Sequence, residues 1–402
     1  MSNSLVNRFS SSFKLVDMLA RQLRGLASGR IVIELPNGER HEYEGTKPGP
    51  TGTIKVLDPA FFRVLMRDGE IGFSESYIDG LWDTPDLQSL LDVLLLNNEH
   101  FRTRFRGRWL LNLTNKIMHL LRSNSKQQAS RNIMQHYDLG NQFYQLWLDE
   151  TMTYSSAIFE SKHEDLAAAQ QRKYASVYDR MAPRQGGHLL EIGCGWGGFA
   201  EFAAKERGAK VTGLTISPAQ HEFASKRIFD AGLNERVSIE LRDYRDEGGL
   251  YDGIASIEMF EAVGEKYWPV YFNKVRDCLH PGAQANLQII TMADPLFQQY
   301  RNEVDFIQKY IFPGGMLPGR SVLEHQIAKA GLIKTGSTEF GQSYSETLRR
   351  WYKQFNERWH LIAEVGFDQR FRRLWNFYLT SCAACFRYEN TDVTQVTLLK
   401  SA

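Results

Sequence analysis

A chain of 402 residues is too long for one ordinary core, so two domains are expected. Apolar and charged fractions of 43% and 24% are those of a soluble globular protein, and 48 Lys and Arg against 47 Asp and Glu single out no partner by bulk charge. Four cysteines (Cys194, Cys278, Cys382, Cys385) exclude a disulfide scaffold and fit a reducing compartment.

Met1 to Arg24 lacks an apolar signal core and reads as an amphipathic helix. Ile31–Leu35 and His41–Glu44 flank the turn signal Pro36-Asn37-Gly38, and Thr53–Leu57 is a further strand candidate after a break over Gly45–Gly52. From Phe61 to Asn98 the pattern is helical, with Leu87, Leu90, Leu91 and Leu94 on one face. These elements predict a smaller N-terminal α+β domain over residues 1–100, expected to face lipid.

Residues 101–135 form a basic amphipathic linker. Arg102, Arg104, Arg106, Arg108, Lys116, Arg122, Lys126 and Arg131 alternate with apolar residues, and no acidic residue occurs from Phe101 to Tyr137. Such a segment suits an anionic bilayer surface. A solvated linker is the bland alternative, and nothing else in the chain supports nucleic acid. No stretch approaches the roughly 20 apolar residues that span a bilayer. The protein is therefore expected in the cytoplasm, with peripheral contact at the inner membrane surface.

From about residue 180 strands and helices alternate. His188–Ile192, Lys210–Leu214, Val237–Leu241, Gly253–Ile257 and Ala285–Ile290 are the strands; Phe199–Arg207, Ala219–Ala231 and Val270–Leu279 are the helices. The alternation predicts an α/β, doubly wound, Rossmann-like domain over residues 136–402, with its ligand at the carboxyl ends of the strands. Near the C-terminus, Cys382 and Cys385 form a C-x-x-C inside the apolar run Phe377–Phe386 and read as packed helix; no further zinc ligands are evident at comparable spacing. No metal is expected.

The first of these strands enters Glu191-Ile-Gly-Cys-Gly-Trp-Gly-Gly198. Gly193, Gly195 and Gly198 formally satisfy G-x-G-x-x-G, so a dinucleotide site must be weighed. That site wants an acid about 20 residues on for the ribose. Here the second strand ends Gly213-Leu-Thr-Ile-Ser217 with no carboxylate, while Glu191 stands two residues before the first glycine. Both features favour S-adenosylmethionine (SAM) over NAD.

Several ordered motifs give a more specific result. They are His136-Tyr-Asp-Leu-Gly-Asn141 with Met152-Thr-Tyr-Ser-Ser-Ala157, Glu191–Gly198, Val211–Gln220, Ser256–Gly264 containing Met259-Phe-Glu261, and Lys309-Tyr-Ile-Phe-Pro-Gly-Gly-Met-Leu-Pro318 followed by Tyr344 to Trp351. Together they resemble the cyclopropane fatty acid synthase family over nearly the whole chain. The amino-terminal Glu75-Ser-Tyr-Ile-Asp-Gly-Leu-Trp82 resembles the branch that acts on bacterial phospholipid. The resemblance implies a SAM-dependent C-methyltransferase acting on the double bond of unsaturated fatty acyl chains in membrane phospholipid, with a homodimer as a candidate assembly. It places SAM contacts at Tyr154, Ser155, Glu191, Gly193, Gly195, Gly197, Thr215, Ile216, Gln220 and Tyr244.

Methyl attack on an alkene leaves a carbocation, which must be shielded from water and stabilised by aromatic faces and negative charge. Loss of a proton from the new methyl group closes a cyclopropane ring and needs a base. In the family that base is thought to be bicarbonate, held by Glu, Tyr, Cys and His. Glu261 and Tyr344 match, whereas Ser156 stands at the Cys and Gln288 at the His. The resemblance therefore gives Glu261, Tyr344 and Ser156 as catalytic candidates, Glu261 as the essential charged group, and bicarbonate as a doubtful cofactor. Loss of a neighbouring proton instead would give a methyl-branched unsaturated chain. An inactive lipid-binding protein and an NAD-dependent oxidoreductase are rivals from other classes.

Overall fold

The computed structural model describes residues 23–104, 139–161 and 163–402, together with Leu19 and Arg21. Most of the expected N-terminal helix, the basic segment beyond Arg104, and His136 to Asp138 lie outside the described residues.

A four-stranded sheet has the order β2-β1-β3-β4, with β1 Ser28–Glu34, β2 Arg40–Glu44, β3 Lys47–Val56 and β4 Trp82–Asp83. β1 and β2 are antiparallel, and β3 runs parallel to β1. The break expected over Gly45–Gly52 is instead mostly strand. A Cβ on Gly49 would come 2.7 Å from the Gly29 nitrogen, and one on Gly52 would come 2.7 Å from Leu90 Cδ1. These glycines permit close packing rather than a turn.

The helical stretch expected over Phe61 to Asn98 is also divided. Helix Ala60–Ile78, kinked at Gly69, ends in a turn through Gly80. β4 follows before a second helix, Leu87–Leu96, capped by Asp86. The buried Trp82 fixes this return, its indole N–H donating to Phe73 O (3.1 Å) and Ser76 Oγ (3.0 Å).

The second sheet has seven strands in the order β10-β11-β9-β8-β5-β6-β7. They are β5 His188–Ile192, β6 Lys210–Thr215, β7 Val237–Leu241, β8 Tyr251–Ile257, β9 Leu279–Met292, β10 Leu332–Glu339 and β11 Thr391–Lys400. β5 to β9 are mutually parallel, β11 is antiparallel to β9, and β10 is antiparallel to β11. The chain builds outward from β5 through β6 to β7, then returns to lay β8 on the other side of β5. The crevice above the carboxyl ends of β5 and β8 is thus the topological switch point, where doubly wound sheets bind ligands.

Helix Gln369–Arg387 carries Cys382 and Cys385 as free, partly buried thiols. Burial pushes the Cys385 thiol up to about 12, and the described residues contain no group of side chains arranged to hold a metal ion. The helix also ties the two sheets together. One apolar cluster runs from Ile31, Phe61 and Trp82 to Trp147, Trp351 and Trp375. Arg373 donates to Trp82 O (2.7 Å), Arg387 pairs with Asp92 (2.6 Å), and Lys309 pairs with Glu75 (2.6 Å).

Candidate active site

β5 leads into the glycine loop. Gly193, Gly195 and Gly197 have φ of 82°, 52° and 82°, left-handed values that side chains oppose. The N–H groups of Gly193 and Cys194 both donate to Leu214 O at the end of β6, at 3.0 and 2.8 Å. A Cβ at Gly193 would lie 2.6 Å from Met259 Cγ, whereas one at Gly195 would enter open space. The loop therefore presents bare backbone at the switch point.

Glu191 lies buried at its foot. Its carboxylate accepts from Ala200 N–H, its Oε2 has no partner, and burial pushes its carboxyl up to about 8. An orphaned, buried carboxyl oxygen on the strand that enters the glycine loop fits a cationic group such as the ammonium of SAM.

Thr215 ends β6, and its hydroxyl donates to Gln220 Oε1 (3.0 Å). Ser217 caps helix Pro218–Asp230 at Gln220 N–H (3.3 Å), with Ile216 between them. Tyr244 follows β7 in a single helical turn, its ring edge-on to Tyr271 at 5.6 Å. These candidates lie in sequence after three adjacent parallel strands. Residues 139–157 pack across the loop: Trp196 Nε1 donates to Asn141 Oδ1 (2.8 Å), and Arg227 Nη1 donates to Thr151 O (2.7 Å). Tyr154 stacks obliquely on Trp351 (5.2 Å), and its hydroxyl meets Tyr378 OH at 2.8 Å.

Beyond β8 the chain forms a pocket of buried polar groups. The backbone register sets Ile257 opposite Gln288 on β9, and Gln288 opposite Gln395 on β11. Glu258 N–H donates to Gln288 O (2.9 Å), and Glu258 itself has φ 51°, a left-handed value that costs a non-glycine residue free energy. Its carboxylate accepts three hydrogen bonds: Tyr344 OH at 2.5 Å, Gln288 Nε2 at 2.7 Å and Ser156 N–H at 2.8 Å. Gln395 Nε2 in turn donates to Gln288 Oε1 (3.1 Å), fixing which end of that amide faces the acid. Lys173, fully buried on helix Leu166–Met181, donates to Ser155 Oγ (2.7 Å). Burial pushes its ammonium down to about 8, against the pull of Glu258, Asp149 and Glu191.

Glu261 lies one turn further on. Its Oε1 accepts from Ile290 N–H (2.5 Å), and its buried Oε2 has no partner. Burial, then repulsion from Glu258, push its carboxyl up to about 8. Glu258 is raised as well, by burial, but Tyr344, Ser156, Lys173 and Gln288 all oppose that shift. Two like charges this close do not both ionise readily. Three side-chain and backbone donors favour the charged form at Glu258, so of the two acids it is the better placed to hold the charge. The resemblance gives Glu261 as the essential charged group; the structure sets a second buried acid, Glu258, three residues earlier.

Ser156, Tyr344 and Gln288, expected around one anion, thus converge on the side chain of Glu258. Ser156 does so through its backbone N–H, since its hydroxyl donates to Ala157 O (2.9 Å). Sequence reasoning missed Glu258, Lys173 and Gln395. The only signal for Glu258 was a second acid inside Ile257-Glu-Met-Phe-Glu261.

Comparison with known proteins agrees with this architecture. The sequence model described as mycolic acid cyclopropane synthetase matches residues 124–396. The tuberculostearic acid methyltransferase UfaA1 of Mycobacterium tuberculosis is 40% identical, over 85% of this chain and 81% of its own. The cyclopropane-fatty-acyl-phospholipid synthase of Escherichia coli K12 is 34% identical, over 91% and 92%. The crystal structure of the mycolic acid cyclopropane synthase CmaA1 complexed with SAH and CTAB superposes with a TM-score of 0.63 at 27% identity, covering 67% of this chain and 98% of that one.

Proposed function

The chain belongs to the mycolic acid cyclopropane synthetase family, and on that premise we propose that it is a SAM-dependent C-methyltransferase forming cyclopropane rings on unsaturated acyl chains of membrane phospholipid. The observation that carries this reading is the meeting of a bare glycine loop, at the switch point, with a buried, hydrogen-bonded carboxylate pair one strand away. When bound, SAM supplies an electrophilic methyl group. Gly193, Gly195 and Gly197 orient it with backbone, and Glu191, Ser155 and Tyr154 flank its amino-acid end. Thr215, Ile216, Gln220 and Tyr244 line the remainder.

Segment 139–157 and the aromatic residues Trp147, Tyr154, Trp351 and Tyr378 exclude water from the reacting alkene and present ring faces to developing positive charge. Positioning supplies much of the rate. A second reading is methyl transfer without ring closure, giving a methyl-branched chain. It is favoured by the filled anion pocket and by the likeness to the tuberculostearic acid methyltransferase.

Mass spectrometry of lipids from cells expressing the protein, fed labelled methionine, separates the two. Labelled lipid heavier by one methylene and sensitive to ring-opening chemistry supports the first reading, resistance supports the second, and absence of label overturns both. No described helix is long and apolar enough to cross a membrane. The Arg- and Lys-rich stretch 102–131 supplies the electrostatic attraction for peripheral docking on anionic lipid. Replacing Arg102, Arg104, Arg106 and Arg108 by Gln is expected to weaken vesicle binding most at low salt; unchanged binding there would leave the segment a linker.

A further inference from the structure

We propose that the carboxylate of Glu258 is the built-in base of the reaction, standing where the resemblance would place a diffusible anion. The inference rests on the methyltransferase reading above. Its ground is geometric: Ser156, Gln288 and Tyr344, three residues far apart in sequence, all aim a donor at one buried carboxylate. Such a cage fits one carboxylate-sized anion, and Glu258 fills it from within. The backbone at Glu258 is left-handed, a conformation any side chain except glycine's adopts at a cost. A residue kept there despite that cost, in contact with the segment that covers the glycine loop, serves more than packing. The carboxylate caps no helix: its donors are one isolated N–H, an amide and a phenol.

The step balances without a further reactant. The alkene π pair forms a carbon–carbon bond to the methyl group as the sulfur–methyl bond breaks. A cation remains on the neighbouring chain carbon. A proton then leaves the new methyl group for a Glu258 oxygen, and the carbon–hydrogen pair closes the ring. If the proton leaves an adjacent chain carbon instead, the same base yields the branched alkene. Burial raises the basicity of Glu258 above that of an ordinary carboxylate, which strengthens it as an acceptor.

The test uses Glu258→Gly and Glu258→Gln in the full-length protein, assayed on vesicles of unsaturated phospholipid and by SAM titration. Glycine suits the left-handed backbone and opens the cage; glutamine keeps the volume and the two hydrogen bonds accepted at Oε1. Both are expected to bind SAM within about threefold of the parent and to lose turnover by about 10²–10⁴-fold. Bicarbonate or formate is expected to restore turnover in Glu258→Gly at least severalfold and to raise its melting temperature. Neither anion should affect turnover or melting of the parent. Parent-like turnover in either variant overturns the proposal, as does a parent whose turnover depends on added bicarbonate. Glycine and glutamine variants that both lose SAM binding would make Glu258 a structural brace instead. A parent that methylates no lipid overturns the functional reading itself, a separate failure visible before any variant is made.

Discussion

The glycine loop and the carboxylate pocket lie on neighbouring strands yet are built on opposite principles. The loop is backbone: three left-handed glycines, and a Cβ position at Gly195 that meets nothing. The pocket is side chain: Glu258, Gln288, Gln395 and Tyr344 are hydrogen-bonded in one chain, with the buried Glu261 and Lys173 beside them. A site made of backbone tolerates loss of a nearby polar side chain but not an added one. A site made of coupled side chains behaves in the reverse way, because removing one group leaves its partners buried and unpaired.

The largest effect expected on the loop side is from Gly195→Val. Its branched side chain would enter the space the cofactor needs, and SAM affinity should fall by at least about 100-fold, or about 2.7 kcal/mol. The left-handed φ of 52° adds a stability cost of about 1–3 kcal/mol. Titration together with thermal melting separates the two effects. A folded variant with parent affinity would remove the loop from the cofactor site.

On the pocket side, Glu261→Gln should be mild because the acid it replaces is already protonated near neutrality. Turnover within about 10-fold of the parent is expected, against the far larger loss predicted at Glu258. Stability gives an independent reading. The Glu261 carboxyl titrates at about 8 in the folded chain and near its ordinary value when unfolded. Its contribution is therefore fully present below the unfolded pKa and is lost as pH rises through 8. The parent should lose melting temperature between about pH 5 and 8, and Glu261→Gln should lose less. Glu191, also near 8, contributes with the same sign to both proteins. A variant more than about 100-fold less active, with an unchanged pH–melting curve, would return the essential charge to Glu261.

Tyr344→Phe removes one of three donors to Glu258 without changing volume. A hydrogen bond to a charged group is worth about 1.5–3 kcal/mol, so losing it should raise the folded pKa of Glu258 further. The acid limb of kcat/KM against pH should move upward. An unmoved limb would mean that the group titrating there is not Glu258.

What the sequence made legible follows the same division. Glu191–Gly198 is contiguous, flanked by an apolar strand and a helix, and its glycines carry the turn by themselves, so fold class and cofactor could both be read there. β3 was misjudged because Gly49 and Gly52 read as breakers when they are contact points for Gly29 and Leu90. The pocket was only half legible. Ser156, Glu261, Gln288 and Tyr344 were recognised by motif, but the convergence of Ser156, Gln288 and Tyr344 on Glu258 depends on the register of β8, β9 and β11, which no local spacing encodes. Lys173 lies on the buried face of helix Leu166–Met181 with Ala169, Gln170, Val177 and Met181, a place where a lysine reads as a surface residue until its partner Ser155 is seen. Long-range pairing hides buried charge from sequence inspection.

The smallest effect is expected from Thr215→Val, an isosteric change that sharpens the contrast from the loop side. The Thr215 hydroxyl donates to Gln220 Oε1 at 3.0 Å and accepts from Ser217 N–H at 3.2 Å. Valine leaves both buried groups unpaired, so the cost falls mainly on stability, about 1–3 kcal/mol. Cofactor affinity should change by no more than about 10-fold, since the adjoining glycine loop holds its ligand with backbone and one neutral hydrogen bond is worth about 0.5–1.5 kcal/mol. Melting should therefore move more than titration does. If instead SAM affinity collapses while melting is unchanged, Thr215 meets the cofactor directly, and the loop side of the site depends on side chains as much as the pocket does.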